Sequence, residues 1–222
     1  MSFYDQLREA TAADRAGLLA APAIAAGLAG RVTRNMYLAF LEQAYHHVKH
    51  ATPLFMALGA RLPDRLAWLR WPVAEYIEEK IGREEWILND IAAVGGDSAA
   101  VYDGVPGLAT EVMVAYAYDL VNRRDAVGLL GMEYVLEGTG VALALHAADH
   151  IQRALALPDT AFSYLRSHDA PDPSHNRQLA DLMNRLDADD QRAMLRAARV
   201  FFKLYGDVFR ALPVEREAAL WN

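Results

Sequence analysis

Apolar residues recur at every third or fourth position along almost the whole chain, which is the spacing of a helix that buries one face. Ala, Leu, Glu and Arg, all good helix formers, dominate the composition, and alternation with a period of two residues is absent. The clearest stripe follows Thr33, a good helix N-cap, and comprises Tyr37, Phe40, Leu41, Ala44, Tyr45, Val48 and Phe55. The pattern predicts an all-α bundle of about seven helices that forms a single domain over residues 1–222.

Glycines and prolines mark where the predicted helices end. Pro72 is expected to stop a short helix, and Pro106 occupies a plausible first helical position after the loop "DGVPG". Four other helices are predicted over the first 124 residues: about Tyr4–Leu19, one that starts after Thr33, about Val73–Val94 with an end at Gly95, and one that ends at about Arg124. A long helix then covers "DAVGLLGMEYVLEGTGVALALHAADHIQRAL" and ends at Pro158, and a short helix follows in "DTAFSYL". The last two are predicted at about Asn176–Leu186 and Asp189–Leu212.

Composition narrows the classes of protein that remain. Hydrophobic residues make up 54% of the chain, and the net charge of −7 argues against nucleic acid or an anionic membrane as a partner. The absence of cysteine excludes disulfides, thiolate metal sites and a cysteine nucleophile. The start, "MSFYDQLREATAADR", is too polar for a signal peptide, and the longest weakly charged run, "GTGVALALHAA", is shorter than the roughly 20 residues that cross a bilayer. We therefore expect a soluble, cytoplasmic protein.

One carboxylate is expected inside the bundle. Glu137 stands on a helical face that is otherwise apolar, and Glu133 lies close to that face. The apolar members of the face are Leu130, Tyr134, Val141, Leu145 and Ala148. A buried carboxylate needs a metal ion, a cationic side chain or a proton to compensate its charge. The alternative is a buried ion pair without chemistry.

The segment "EYIEEKIGREEWILND" carries a second group of polar candidates. Its charged face has aromatic residues beside it and comprises Tyr76, Glu79, Arg83, Trp86 and Asp90. Taken alone, periodicity favours a solvated face on which Glu79 and Arg83 form an ordinary i,i+4 ion pair. A central helix that is packed on both sides would instead turn these side chains inward.

The segment "HDAPDPSH" places His168, Asp172 and His175 at spacings of four and three residues. Two imidazoles and a carboxylate suit iron, zinc or manganese. Pro171 and Pro173 are tolerated if a helix begins near the first of them. The competing interpretation is a capped helix start with surface histidines.

The other histidines carry a weaker signal. His46 and His50 fall opposite the apolar stripe of their helix, so solvent exposure is expected, whereas His47 lies at its edge, where it could line a cavity. His146 and His150 are expected to form a surface pair. No phosphate loop, nucleophile elbow or dinucleotide fingerprint is present.

Three phrases, "EEKIGREEWILNDIAAVGGD", "GMEYVLEGTGVAL" and "SYLRSHDAPDPSH", together resemble the heme-oxygenase-like helical proteins. This superfamily includes thiaminase II, the PQQ-synthesis oxidase and non-heme diiron oxidases related to the chlamydial CADD protein. The diiron branch is the most similar, and it implies metal ligands at Glu79, Glu137, His168, Asp172 and His175.

Arg83 departs from that branch, because it stands where the resemblance implies a histidine ligand and a guanidinium cannot bind a metal. One hypothesis is a single iron ion with a weak or empty second position. The other is that Arg83 neutralises Glu79 or Glu137 by bidentate hydrogen bonds, which leaves a pocket without metal.

The leading hypothesis for function is a non-heme iron, O2-dependent oxidase or oxygenase that acts on a small organic molecule in a central cavity. The candidate catalytic residues are Glu137, His47 and Tyr45, and the residues expected to line the cavity are Tyr76, Arg83, Trp86 and Tyr134. The alternatives are a metal-free ligand-binding homologue and a cofactor-free oxidase like the PQQ-synthesis enzyme. The resemblance also implies a homodimer.

Overall fold

The computed structural model describes residues 1–167 and 173–214. Within these ranges all regular structure is helical, as predicted. The α-helices are α1 (Phe3–Ala10), α2 (Ala12–Leu19), α3 (Pro22–Leu28), α4 (Arg34–Val48), α5 (Ala51–Arg61), α6 (Arg70–Lys80), α7 (Arg83–Val94), α8 (Ser98–Asp103), α9 (Leu108–Arg123), α10 (Leu129–Leu155), α11 (Ser163–Arg166), α12 (Pro173–Asn184) and α13 (Ala188–Arg210). Short 3₁₀ turns occur at Asp64–Leu69, Ala126–Gly128 and Asp159–Ala161.

The described part of the chain contains thirteen α-helices, more than the predicted seven. Helices α3 and α8 were not predicted, and two of the predicted helices are broken. The first is interrupted at Thr11, whose hydroxyl donates to the Leu7 carbonyl at 2.7 Å. The third is interrupted at Gly82, where φ is +80°, a left-handed conformation that favours glycine. Hydrophobic periodicity runs through both breaks, so it does not reveal them.

Two proline predictions were wrong. Pro72 lies inside the first turn of α6, where its missing N–H costs nothing, and it does not end a helix. Helix α9 begins at Leu108 after the N-cap Gly107, two residues later than Pro106. Other ends were predicted well: Thr33 caps α4 by accepting from the Met36 N–H at 3.2 Å, and α7 ends at the left-handed Gly95.

His46 is buried, at 3% exposure, although the sequence predicted a solvated side chain. The reason is that α9 covers this side of α4. Gln43 accepts hydrogen bonds from the Gly107 N–H and the Thr110 hydroxyl, and His50 shares a hydrogen bond of 3.1 Å with the Tyr118 hydroxyl.

Helix α10 is the longest helix, and it crosses α13 at close range. Gly131 permits this approach, because a Cβ atom there would lie 2.7 Å from the Met194 carbonyl oxygen and 2.9 Å from the Ala198 nitrogen. The core between the two helices includes the buried Phe201 and Phe202 of α13, and the Phe202 ring meets that of Tyr134 at 6.0 Å between ring centres. The crossing fixes the face of α10 that carries Glu133 and Glu137.

Gly131→Ala is expected to lower the free energy of unfolding by about 2 kcal/mol, since the two nearest atoms that the new methyl group meets are backbone atoms. The matched control is Gly138→Ala in the same helix, where a Cβ atom meets nothing within 4 Å. That change is expected to stabilise the protein by about 0.5–1 kcal/mol. Urea denaturation of both variants measures the difference, and equal effects would contradict the close crossing.

No described helix is both long enough and apolar enough to cross a membrane.

Candidate active site

A cavity of about 180 Å³ runs along one face of α10. Helix α10 contributes lining residues from Met132 to Ile151, which at about 1.5 Å per residue corresponds to roughly 29 Å of helix length. Most of the wall is apolar, and its members include Met36, Phe40, Leu136, Ala144, Ala147, Ile151 and Phe209. The lining residues therefore follow about five turns of α10, and we call the cavity the channel along α10.

Charged side chains gather where α6, α7 and the first half of α10 meet. The Lys80 ammonium lies 2.5 Å from the Glu133 carboxylate and 3.7 Å from that of Glu137. Lys80 is 7% exposed and Glu133 is 2% exposed, so this ion pair is buried. The ammonium also lies 5.4 Å from the ring centre of Phe55 and 5.1 Å from that of Tyr76.

The two carboxylates respond differently to this environment. Burial opposes ionisation of Glu133, but the Lys80 charge and the hydrogen bonds to Glu137 and Lys80 hold the pKa of Glu133 below its ordinary value. Burial and the neighbouring Glu133 charge raise the pKa of Glu137 well above its ordinary value. Glu137 is therefore the group that holds a proton most readily in this part of the cavity, and the one that gains most from another cation.

Arg83 lies at the cavity wall but does not have the predicted role. Its Nε donates to the Glu79 carbonyl oxygen at 2.8 Å, and among the described side chains Lys80 is the cation in ion-pair contact with Glu137. The prediction that Arg83 neutralises Glu79 or Glu137 was therefore wrong. The break at Gly82 is the reason, because Arg83 belongs to α7 and not to the helix that carries Lys80.

The same break divides the predicted polar face. Tyr76 is buried and stacks on Phe55, with ring centres 5.4 Å apart, whereas Glu79 is exposed. Trp86, on α7, is 42% exposed and is not part of the cavity wall, contrary to the prediction. Asp90 turns inward for a structural purpose, since its carboxylate accepts from the backbone N–H groups at the start of α11.

Tyr45 and Tyr134 lie away from the cavity wall, which corrects the prediction for both. Tyr45 packs on Tyr102, at 6.4 Å between ring centres, on the outer side of α4. The Tyr134 hydroxyl accepts from Arg15 at 3.1 Å, on the face of α10 that meets the N-terminal helices. His47 does line the cavity, as its place at the edge of the apolar stripe predicted, and its ring meets that of Tyr205 edge-on at 5.9 Å.

His168 and Asp172 lie outside the described residues. His175 belongs to the first turn of α12, and its side chain is likewise outside the description. Among the described side chains, no group of three or more histidines, aspartates and glutamates is arranged to hold a metal ion. The His168, Asp172 and His175 ligand set therefore stays a prediction.

Lys80 is the site residue that sequence reasoning missed. A signal was present, because Lys80 continues the stripe of Val73 and Tyr76 at spacings of three and four, and all three are buried. A lysine on an apolar stripe needs a buried partner, as Glu137 does on its own helix. Periodicity identifies both charges but does not pair them across helices.

Comparisons with known proteins show which family and which fold this chain shares. The model of a family described as iron-containing redox enzymes matches residues 38–206. No curated protein sequence matches the chain significantly. A domain of unknown function with a heme oxygenase-like fold from Shewanella denitrificans has 21% identity and a TM-score of 0.82, with 96% of this chain and 92% of that chain covered.

Two further structures show the same architecture. Heme oxygenase from Leptospira interrogans has 18% identity and a TM-score of 0.78, with 96% of this chain and 100% of that chain covered. A CADD-like protein of unknown function from Nostoc punctiforme has 14% identity and a TM-score of 0.72, with 95% of each chain covered. At these identities the likeness shows the fold, and it confirms the predicted heme-oxygenase-like bundle.

Proposed function

Since this chain belongs to the family of iron-containing redox enzymes, we propose that it is a non-heme iron, O2-dependent oxidase or oxygenase. Its substrate would be a small molecule with a polar head and an apolar tail, held in the channel along α10. The observation that carries this proposal is the pair of carboxylates, Glu133 and Glu137, at the polar end of an otherwise apolar cavity.

We infer from the described donor groups at this end that the site holds one iron ion. Glu133 is hydrogen-bonded to Lys80, whereas Glu137 faces the cavity. Because burial opposes the ionisation of Glu137, a cation beside its carboxylate is favourable. Hard carboxylate oxygens and imidazole nitrogens are ligands that iron(II) accepts. Glu137 would therefore hold the iron together with His168, Asp172 and His175. Glu79 stays a predicted ligand with an exposed side chain.

Iron, when bound, supplies the redox chemistry with O2. The side chains of this chain have separate tasks. Lys80 keeps Glu133 ionised, Glu137 would offer its carboxylate to the iron, and His47 with Tyr205 forms an aromatic wall that orients the substrate. The apolar wall excludes water from the reacting group.

The substrate class follows from the shape and charge of the channel. Arg83 lies at the polar end, where a guanidinium suits an anionic head group. Beyond Gly140 the described side chains of α10 at the wall are small or apolar: Ala144, Ala147 and Ile151. An aliphatic carboxylate would match both ends.

Ala144→Phe is expected to shorten the channel, because Ala144 is buried at its wall. Dodecanoate should then bind at least about 10-fold more weakly, a loss of about 1.4 kcal/mol, while butanoate is unaffected. Isothermal titration calorimetry measures both affinities. The matched control is Ala154→Phe, at an exposed position of the same helix. Equal dodecanoate affinity in the two variants would exclude the channel as the tail site.

The proposed function is tested by loading the protein with iron(II) without oxygen, and then following the optical spectrum as O2 is added. We expect about one iron per chain and an O2-dependent absorption change. If the protein retains no iron but still binds dodecanoate, the metal-free binding protein is the correct function. The Lys80 ammonium between the two carboxylates is the observation that favours this second candidate.

A further inference from the structure

We propose that the Lys80 ammonium is a resident counter-ion that occupies a second cation position of the cavity and so limits the chain to one metal ion. The position of the Lys80 side chain supports this inference, which rests on the proposed function only for the identity of the metal.

The first support is the geometry around Lys80. Glu133 and Glu137 are one helical turn apart on α10, so their carboxylates point to the same side. The ammonium lies 2.5 Å from one and 3.7 Å from the other, and both are lining residues of the cavity. Helix bundles hold metal ions with inward-facing carboxylates and imidazoles from several helices, so carboxylates that face a cavity can attract a cation.

The second support is how firmly Lys80 is held. Its side chain is buried, and the rings of Phe55 and Tyr76 lie 5.4 and 5.1 Å from its ammonium. Aromatic faces attract a cation by their quadrupole, so the position is built for positive charge from four sides. A tethered cation cannot dissociate, whereas a metal ion there would have to displace it against like-charge repulsion.

The test is Lys80→Met, which keeps most of the side-chain volume and removes the charge. The probe is Mn²⁺ alone, counted by electron paramagnetic resonance during titration. We expect one more Mn²⁺ per chain in the variant than in the parent protein. Binding of this additional ion should raise the Tm of the variant, and the parent should show no such rise. Lys80→Arg keeps the charge and should bind no additional ion. The double variant Lys80→Met/Glu133→Gln also lacks one carboxylate ligand, so it too should bind no additional ion.

The outcomes separate this inference from the proposed function. One ion in the parent and two in Lys80→Met support both. No ion in the parent and one in the variant would show that Lys80 fills a cation position, but would overturn both the limit of one metal ion and the iron-dependent function. An equal number of ions in parent and variant overturns the inference. If Lys80→Met fails to fold alone, refolding from urea with Mn²⁺ should restore it, and equal recovery with and without Mn²⁺ also overturns the inference.

Discussion

Glu137→Ala is expected to lower the affinity for iron(II) by at least about 100-fold, and His175→Ala by a similar factor. Glu137 lines the polar end of the cavity, and the loss of a ligand should cost at least as much as the loss of a group that orients one, which is about 10- to 100-fold. The measurement is a competition titration against a chromophoric chelator without oxygen. The loss of O2-dependent absorption should follow the loss of iron.

The controls for this prediction use exposed residues of neighbouring helices. Glu78→Ala on α6 and Arg177→Ala on α12 remove charged groups that do not line the cavity, so their iron affinity should equal that of the parent protein. Full iron affinity in Glu137→Ala would show that any iron lies elsewhere. If Glu137→Ala lowers the iron affinity and His175→Ala does not, the iron lies beside Glu137 but the His175 imidazole is not one of its ligands.

Asp90→Ala is expected to lower the free energy of unfolding by about 3–5 kcal/mol, because two hydrogen bonds to a buried carboxylate disappear. The Asp90 carboxylate accepts from the Ser163 N–H at 2.9 Å and from the Tyr164 N–H at 2.8 Å. Asp90 is fully buried, so water cannot replace it. Urea denaturation followed by circular dichroism gives the change.

The effect of Asp90 should extend to the iron site. It fixes the start of α11, from which the chain leads directly to His168. Asp90→Asn retains one acceptor oxygen, so it should be destabilised less than Asp90→Ala. It should also bind iron more tightly than Asp90→Ala does. Exposed Asn89→Ala, one residue away on α7, should change neither quantity. An Asp90→Ala variant as stable as the parent would contradict the role of these bonds.

The candidate site was predictable where one helix carries the information. Glu137 on its apolar face and His47 at the edge of a stripe were both found from spacing, and the structure places both at the cavity wall. Tyr76, Trp86, Tyr45 and Tyr134 are not among the wall residues, contrary to prediction, since a large aromatic residue suits a packing surface as well as a cavity. Lys80 was overlooked because its partner lies 53 residues away on α10.

The sequence by itself determined the helical class, the caps at Thr33 and Gly95, the apolar faces and the presence of a carboxylate on one of them. These properties depend on residues within a few turns of each other, and they leave a periodic trace. Only the tertiary structure decided that α6 ends before Gly82, that Lys80 rather than Arg83 meets the carboxylates, and that α9 buries His46. The reason is physical: the energy of a buried charge depends on which distant side chain the packing of helices brings within a few ångströms, and spacing along one helix holds no record of it.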